Sequence, residues 1–542
     1  MATPRASILQ APTRSPLTRG LRRRGRLRSF RLPEVPPHVA RRRAALALGG
    51  AALLAAAVRI PFIWAGIGPD EGGYAFIAHQ WAHGAALYQG VWVDRPQGLL
   101  VLYRAITDVG YHAWTIRTAA ALAGVSLTLI IGAIGWMVRG PATGAIAAFV
   151  FAIVGVGPHI EGFTMNSELA AAVPAAGAVA CAIRWRMVGR RRWLLAAGAL
   201  GAGALLMKQS GFDGIAMALV IAVATADPMR ARARHAGLVL AGASVPLALA
   251  AFHGLINGWS NYWFAMYGWR AHEELGKTVG KRIDYFLGEM PRIGPDLLGV
   301  SLVALVGLAF CIRRRGLVWV IPAWFLVGFV AINVGGWYWP HYFVQVVPAL
   351  VLLAAVAVTS VRRWSPPLAV VLACGAVAPV AVNLVHLAVT SKEGRLKGIP
   401  YKRGYEIDRQ IARFIRDHST PRDTFYALAS RADLYFLAHR SPPIPYLWAH
   451  SPLQRRSVKD ALRNELAGPG GPKFVVESRS ARSLDKSGKV AQILRDHYRF
   501  VWRPPGRLPK DSPMVLMARD ASLSALVPYT THRPLPAVPG TD

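Results

Sequence analysis

RRRAALALGGAALLAAAVRIPFIWAGIGPDEGGYAFIAHQWAHGAALYQGVWVDRPQGLL, residues 41–100, holds the features on which the reading of the fold turns. Three arginines open it, an apolar run from 44 to 64 follows, and an acidic pair, Asp70 and Glu71, comes just after a Gly-Pro turn. A run of that length matches the roughly 20 helical residues that cross a hydrocarbon core of about 30 Å. The arginines mark the side on which the helix begins.

Outward from this stretch the same unit repeats. Apolar runs lie near 44–64, 115–138, 142–158, 167–185, 193–210, 211–226, 236–255, 295–312, 317–334, 343–360 and 366–389. The expected fold is therefore an α-helical polytopic membrane protein of about eleven transmembrane helices. Composition agrees, because 53% of the 542 residues are hydrophobic and 17% charged, too apolar for a soluble chain of this size. Lys and Arg outnumber Asp and Glu by 63 to 28, a balance that would otherwise suggest nucleic acid. Here the basic residues fall in clusters between runs, at Arg139, 184–192, 230–234, 313–315 and 362–363. They read as loops kept in the cytoplasm, with affinity for anionic membrane lipids and none implied for nucleic acid. The first 43 residues carry twelve Arg and one acid, Glu34, and are expected to be a disordered cytoplasmic tail. The protein is thus expected to be a multi-pass plasma-membrane protein with a cytoplasmic N-terminus. Its first run is long enough to stay as an anchor, not a cleaved signal.

The fifth and sixth runs are short, because Lys208, Gln209, Ser210 and Asp213 interrupt them. They form two crossings or one re-entrant hairpin, and either keeps the parity of the remaining helices. The far side then receives the loops 65–114, 159–166, 256–294 and 335–342, the Lys208 region, and everything after about 390. Within 65–114, Phe76, Ile77, Trp81 and Leu87 are spaced as the apolar face of a helix lying in the membrane interface, and the aromatic-rich loop 256–294 has the same character. Residues 390–530 shift to a small extracytoplasmic α/β domain. An amphipathic helix at 405–418 carries Ile407, Ile411, Phe414 and Ile415 on one side, strands are expected at 424–429, 473–477 and 514–518, and a helix at 490–497. Residues 531–542 are Pro-rich and expected to be disordered. Cys181, Cys311 and Cys374 each sit in an apolar run and offer no disulfide framework.

The order of these features resembles the GT-C membrane glycosyltransferases. P-D-E-G-G-Y-A-F-I-A (69–78) and V-W-V-D-R-P-Q-G-L (91–99) are similar to the D-E-x-x-Y and D-x-x-P-P-G-L patterns of glycosyltransferase family 39, which includes the protein O-mannosyltransferases and the aminoarabinose transferases of lipid A. N-S-E-L (166–169), M-K-Q-S-G (207–211) and W-P-H-Y-F-x-Q-x-x-P (339–348) add to the likeness, which covers about residues 44–440. Gln97 departs from the pattern where the family has a second proline. The resemblance implies transfer of a sugar from a polyprenyl-phosphate donor to a hydroxyl of an acceptor protein, glycan or lipid on the extracytoplasmic face, with inversion.

That chemistry needs a carboxylate to take the acceptor's proton and fixed cations to neutralise the departing phosphate. Asp70 matches the first acid of the family pair and is the candidate base, with Glu71 beside it as a catalytic neighbour. Read alone, the two would be an ordinary solvated pair at a helix end. Asp94 is expected to order its loop or contact substrate. Arg95, Lys208, His341 and Tyr342 are the candidate phosphate or substrate contacts. Lys208 at the end of an apolar run must snorkel or meet an anion, and His341 with Tyr342 otherwise reads as part of an aromatic girdle. Arg270, Lys277, Lys281 and Arg282 are expected to face lipid headgroups. Glu161, Glu168 and His159 could hold a divalent metal ion, against the plainer reading of solvated helix ends. Asp433, Tyr435 and His439 suit acceptor binding or simple packing. A lipid or sugar transporter or flippase is the alternative, although transporters usually set ionisable groups near the midplane and these lie at one face. A non-catalytic scaffold presenting the C-terminal domain is a third reading.

Overall fold

The computed structural model describes residues 37–390, 402–502 and 515–522, apart from short breaks at 226, 275–276, 314–315, 429–430, 449–452, 454, 479 and 521. Most of the expected basic tail and all of the Pro-rich tail lie outside the described residues. The first helix starts at Pro37, so the arginines at 41–43 stand in its opening turns, ahead of the apolar run.

Seven helices are long and apolar enough to cross a membrane: Ala45–Ile63, Ala113–Arg139, Ser167–Val188, Met229–Ile256, Val279–Ile312, Leu317–Gly335 and Pro366–Val389. Four shorter apolar helices, Pro141–Val154, Arg192–Met207, Asp213–Val223 and Val347–Val361, complete the set. Together they fall one for one on the expected runs. The fifth and sixth are the 16-residue Arg192–Met207 and the 11-residue Asp213–Val223. At 1.5 Å per residue the latter reaches about 16 Å, half a hydrocarbon core. The eighth starts at Val279 and runs 34 residues through Pro291 and Pro295, well before its apolar stretch. Its first half is a polar helix with Ile283, Tyr285 and Leu287 exposed.

Small residues let these helices approach closely, as expected where lipid supplies no hydrophobic drive between them. Gly198 meets the backbone of Val239 and Gly242 that of Leu195, so any side chain at either position would collide with its partner helix. Arg139 donates to the Val356 carbonyl at 2.7 Å and to Thr359 at 3.1 Å. It thereby ties the end of its own helix to the end of the helix that precedes Arg362 and Arg363. Arg139 thus lies at the same end of the bundle as Arg362 and Arg363.

The C-terminal unit is a four-stranded sheet of β1 (Phe425–Leu428), β2 (Phe474–Glu477), β3 (Tyr498–Trp502) and β4 (Val515–Arg519) in the order β1-β2-β4-β3. β1 and β2 are parallel and the other pairs antiparallel. Sequence reading finds β1, β2 and β4 but misses β3, which follows the helix Lys489–His497 without a turn. Alternation along the strands sends side chains to opposite faces. Phe425 and Ala427 join the core shared with the membrane helices, while Tyr426 and Leu428 pack beneath the helices Arg456–Ala467 and Lys489–His497.

The helix expected to lie in the interface is present as Pro69–Ala82, yet protein covers it. Glycines at 72 and 73 bring its backbone against Asp433 and Trp448, and Gly66 lies against Tyr405. Phe76 stacks toward Tyr435 with ring centroids 5.6 Å apart. The C-terminal unit is therefore seated on this helix. Leu87 falls beyond it, in a short bridge to Val91. The aromatic loop does expose Trp259, Trp263 and Tyr267.

Candidate functional site

Asp70 and Glu71 occupy the first turn of the helix Pro69–Ala82, where backbone N–H groups favour negative charge. A helix turns 100° per residue, so adjacent carboxylates face different ways. Glu71 points inward. Its Oε1 accepts from Arg117 at 3.0 Å and from the Met165 amide at 2.8 Å, and its Oε2 accepts from the Gly68 amide at 3.1 Å and pairs with Arg117 at 2.9 Å. Both Glu71 and Arg117 are buried. These contacts tie the helix start to the neighbouring helix and the 163–165 turn.

Asp70 points the other way. It lies within electrostatic reach of His341, Arg95, Glu168 and Asp94, so residues from four separated segments converge here. Asp94 pairs with Arg95 at 2.8 Å and Arg270 at 2.5 Å. Arg270 is thus drawn into the site and does not face headgroups. Gln97 opens the helix Gln97–Val109 and donates to the Ala250 carbonyl at 3.0 Å. It anchors the loop where the expected proline would have offered no side-chain donor.

Lys208 ends the helix Arg192–Met207 with an extended backbone. The break lets its ammonium reach Glu168 at 2.5 Å and sit 3.6 Å from the centre of the Tyr342 ring. Lys208 is buried and does not snorkel. His341, in the short helical turn Pro340–Gln345, bonds Glu161 through Nδ1 at 3.0 Å and faces Glu168 through Nε2 at 3.8 Å. Glu161 holds a left-handed backbone, φ 57°, a conformation that costs a non-glycine residue about 1 kcal/mol or more and that gathers at functional sites.

The electrostatics follow from this packing. Burial pushes the Asp70 carboxyl above its ordinary value, with His341 and Arg95 opposing. Burial would do the same to Asp94, but Arg270 and Arg95 outweigh it and hold Asp94 low. Burial alone would depress His341, yet Glu168 and Glu161 raise it and favour the imidazolium. The Tyr342 hydroxyl is pushed up to about 12 by burial, so it stays a neutral donor. Asp94, Glu161 and Glu168 thus each hold a cation or the imidazole. Asp70 instead accepts a hydrogen bond from the Trp448 indole at 3.0 Å.

The expected metal set does not assemble. His159 turns to Asp296, with Nδ1 to Oδ1 at 3.1 Å and its amide donating to Oδ2 at 2.6 Å, while Glu161 and Glu168 bracket His341. Among the described residues no group of three or more His, Cys, Asp or Glu side chains is arranged to hold a metal ion. Asp433 and Tyr435 have partners within the C-terminal unit: Arg431 pairs with Asp433 at 2.9 Å and also with Asp408, and the Tyr435 hydroxyl accepts from the Ala427 amide at 2.9 Å.

Four residues escaped the sequence reading as parts of this site. Arg117 lies inside an apolar run, where a buried cation implies a buried acid. Glu168 was weighed only as a metal ligand, and Arg270 only as surface charge. Trp448 carries no local signal at all.

The fold is that of a polytopic helical protein of the GT-C architecture. Three solved structures share it. ArnT from Cupriavidus metallidurans, solved bound to undecaprenyl phosphate, matches with a TM-score of 0.60 at 17% identity over 88% of this chain and 98% of its own. The oligosaccharyltransferase AglB from Archaeoglobus fulgidus, solved with an inhibitory peptide and a dolichol-phosphate, matches at 0.53 and 14% identity, over 89% and 77%. The arabinofuranosyltransferase AftD from Mycobacteria matches at 0.50 and 17% identity over 88% of this chain, which spans 41% of that protein. No protein-family model matches the sequence, and no curated protein sequence matches it.

Proposed function

We propose that this protein is an inverting membrane glycosyltransferase that moves a sugar from a polyprenyl-phosphate donor to an acceptor hydroxyl at the extracytoplasmic face. The observation that carries the reading is the convergence of Asp70, a carboxylate with no cation among its hydrogen-bond partners in the described residues, on a cluster of buried cations. Two solved structures of the same fold, ArnT and AglB, are complexes with undecaprenyl phosphate and with a dolichol-phosphate, which fits that cluster.

In this reading Asp70 takes the proton of the acceptor hydroxyl as its oxygen attacks the anomeric carbon. The bond from that carbon to the phosphate oxygen breaks, and its electron pair leaves with the lipid phosphate. Lys208, Arg95 and the imidazolium of His341 neutralise that charge, with the Tyr342 hydroxyl as a further donor. Asp94 fixes Arg95 and Arg270, and Glu168 fixes Lys208 and His341, so the cations need little reorganisation during the reaction. Glu71 acts through the helix start that carries Asp70.

The test is transfer of labelled sugar from a polyprenyl-phosphate donor by purified protein in proteoliposomes. Wild type transfers label and Asp70→Asn loses about 100-fold or more. Label that crosses the bilayer without changing its covalent partner would instead mark a flippase.

A further inference from the structure

The C-terminal unit reaches into the site through one side chain. After the helix Asp433–Ala438 the chain runs back over residues 73–92, and the Trp92 amide donates to the Pro445 carbonyl at 3.2 Å. Tyr446 packs on Trp92 at 5.6 Å and Trp448 on Tyr74 at 5.8 Å. The Cζ2 and Cη2 atoms of the indole lie against Gly73, where any larger residue would meet the ring. Its N–H ends 3.0 Å from Asp70 Oδ1.

A half-buried indole finds some acceptor as a matter of course, so the contact alone would be packing. The choice of acceptor separates the two readings, because every other carboxylate of the cluster is held by a cation or the imidazole. Resting on the base assignment above, we propose that Trp448 is a positioning residue: its indole fixes the Asp70 carboxylate through Oδ1 and leaves Oδ2 to take the acceptor's proton. The C-terminal unit thereby completes the site, and a seated unit is a condition of turnover. No bond changes at Trp448 itself. The proton passes from the acceptor hydroxyl to Asp70.

A hydrogen bond to the charged form of an acid lowers its pKa, so losing the indole N–H raises that of Asp70. Because the base must be ionised, the acid limb of the kcat/KM profile moves to higher pH. The experiment uses full-length protein in proteoliposomes with a polyprenyl-phosphate sugar. Trp448→Phe keeps an aromatic ring at this position and removes the donor. Gly73→Ala keeps the donor and displaces the ring, and it carries the test should Trp448→Phe fail to fold. Both are expected to move the acid limb up by about one pH unit and to lower kcat about tenfold, with donor KM within about twofold of wild type. An acid limb that stays in place in the folded variants, with activity lowered equally at all pH values, reduces Trp448 to packing and overturns the inference. Full activity in Asp70→Asn would overturn the base assignment on which it rests, a separate result.

Discussion

Glu71→Gln replaces a buried carboxylate with a neutral group of the same shape and should cost stability before it costs chemistry. Glu71 meets Arg117 through both oxygens, at 3.0 and 2.9 Å, and takes the amides of Met165 and Gly68. The substitution turns an amide NH2 toward a guanidinium and leaves that cation buried. Arg117 keeps the Phe163 carbonyl at 3.3 Å and its place over the Phe163 ring at 4.9 Å, which limits the loss. Removing one partner of a buried pair costs about 3–5 kcal/mol, a large share of the roughly 5–15 kcal/mol that keeps a domain folded. Thermal unfolding in detergent micelles should show the melting temperature lowered by about 5 °C or more. Adding Arg117→Met to Glu71→Gln should recover part of it, since no cation is then left unpaired. Transfer by the fraction that stays folded should persist. If Glu71→Gln melted like wild type and yet transferred nothing, Glu71 would belong to the chemistry and the holding role argued for it would be wrong.

Three further outcomes follow from the cluster. Lys208→Met should raise donor KM about tenfold or more, because one charge-assisted contact to phosphate is lost, and Lys208→Arg should restore part of it. This is read from donor-concentration series at saturating acceptor. The kcat/KM profile should be bell-shaped: activity falls toward acid as Asp70 protonates through its raised pKa, and toward alkali as His341 loses its proton above its ordinary value. His341→Gln should flatten the alkaline limb and, because His341 holds the Asp70 carboxyl down, move the acid limb to higher pH. Asp94→Asn releases Arg95 and Arg270 from the site geometry and should lower kcat/KM about tenfold to 100-fold with the melting temperature nearly unchanged, checked by initial rates beside a melt.

The bundle was legible because each helix is written locally, as a run of apolar residues with basic clusters at alternate ends. Even the weakness of the fifth and sixth runs was real, for the polar residues 208–213 that interrupt them become the break that aims Lys208 at Glu168. The site was legible as a set of residues but not as a set of pairs. Asp70, Asp94, Arg95, Lys208, His341 and Tyr342 do meet, yet nothing near Lys208 names Glu168 as its partner, 40 positions away. Glu71 looked like the twin of Asp70 because adjacency in sequence hides a 100° turn of the helix. The helix Pro69–Ala82 read as interfacial because its apolar residues could face lipid or protein equally, and only Gly72 and Gly73 hinted at a close partner. That partner, Trp448, stands 378 residues from Asp70, beyond any local pattern.

The most direct measurement is a structure of the protein with a polyprenyl phosphate bound. The account predicts the phosphate within hydrogen-bonding distance of Lys208 and Arg95, with Asp70 about one sugar's length away. A phosphate seated apart from both cations, or one that leaves Asp70 out of reach of the sugar, would contradict it.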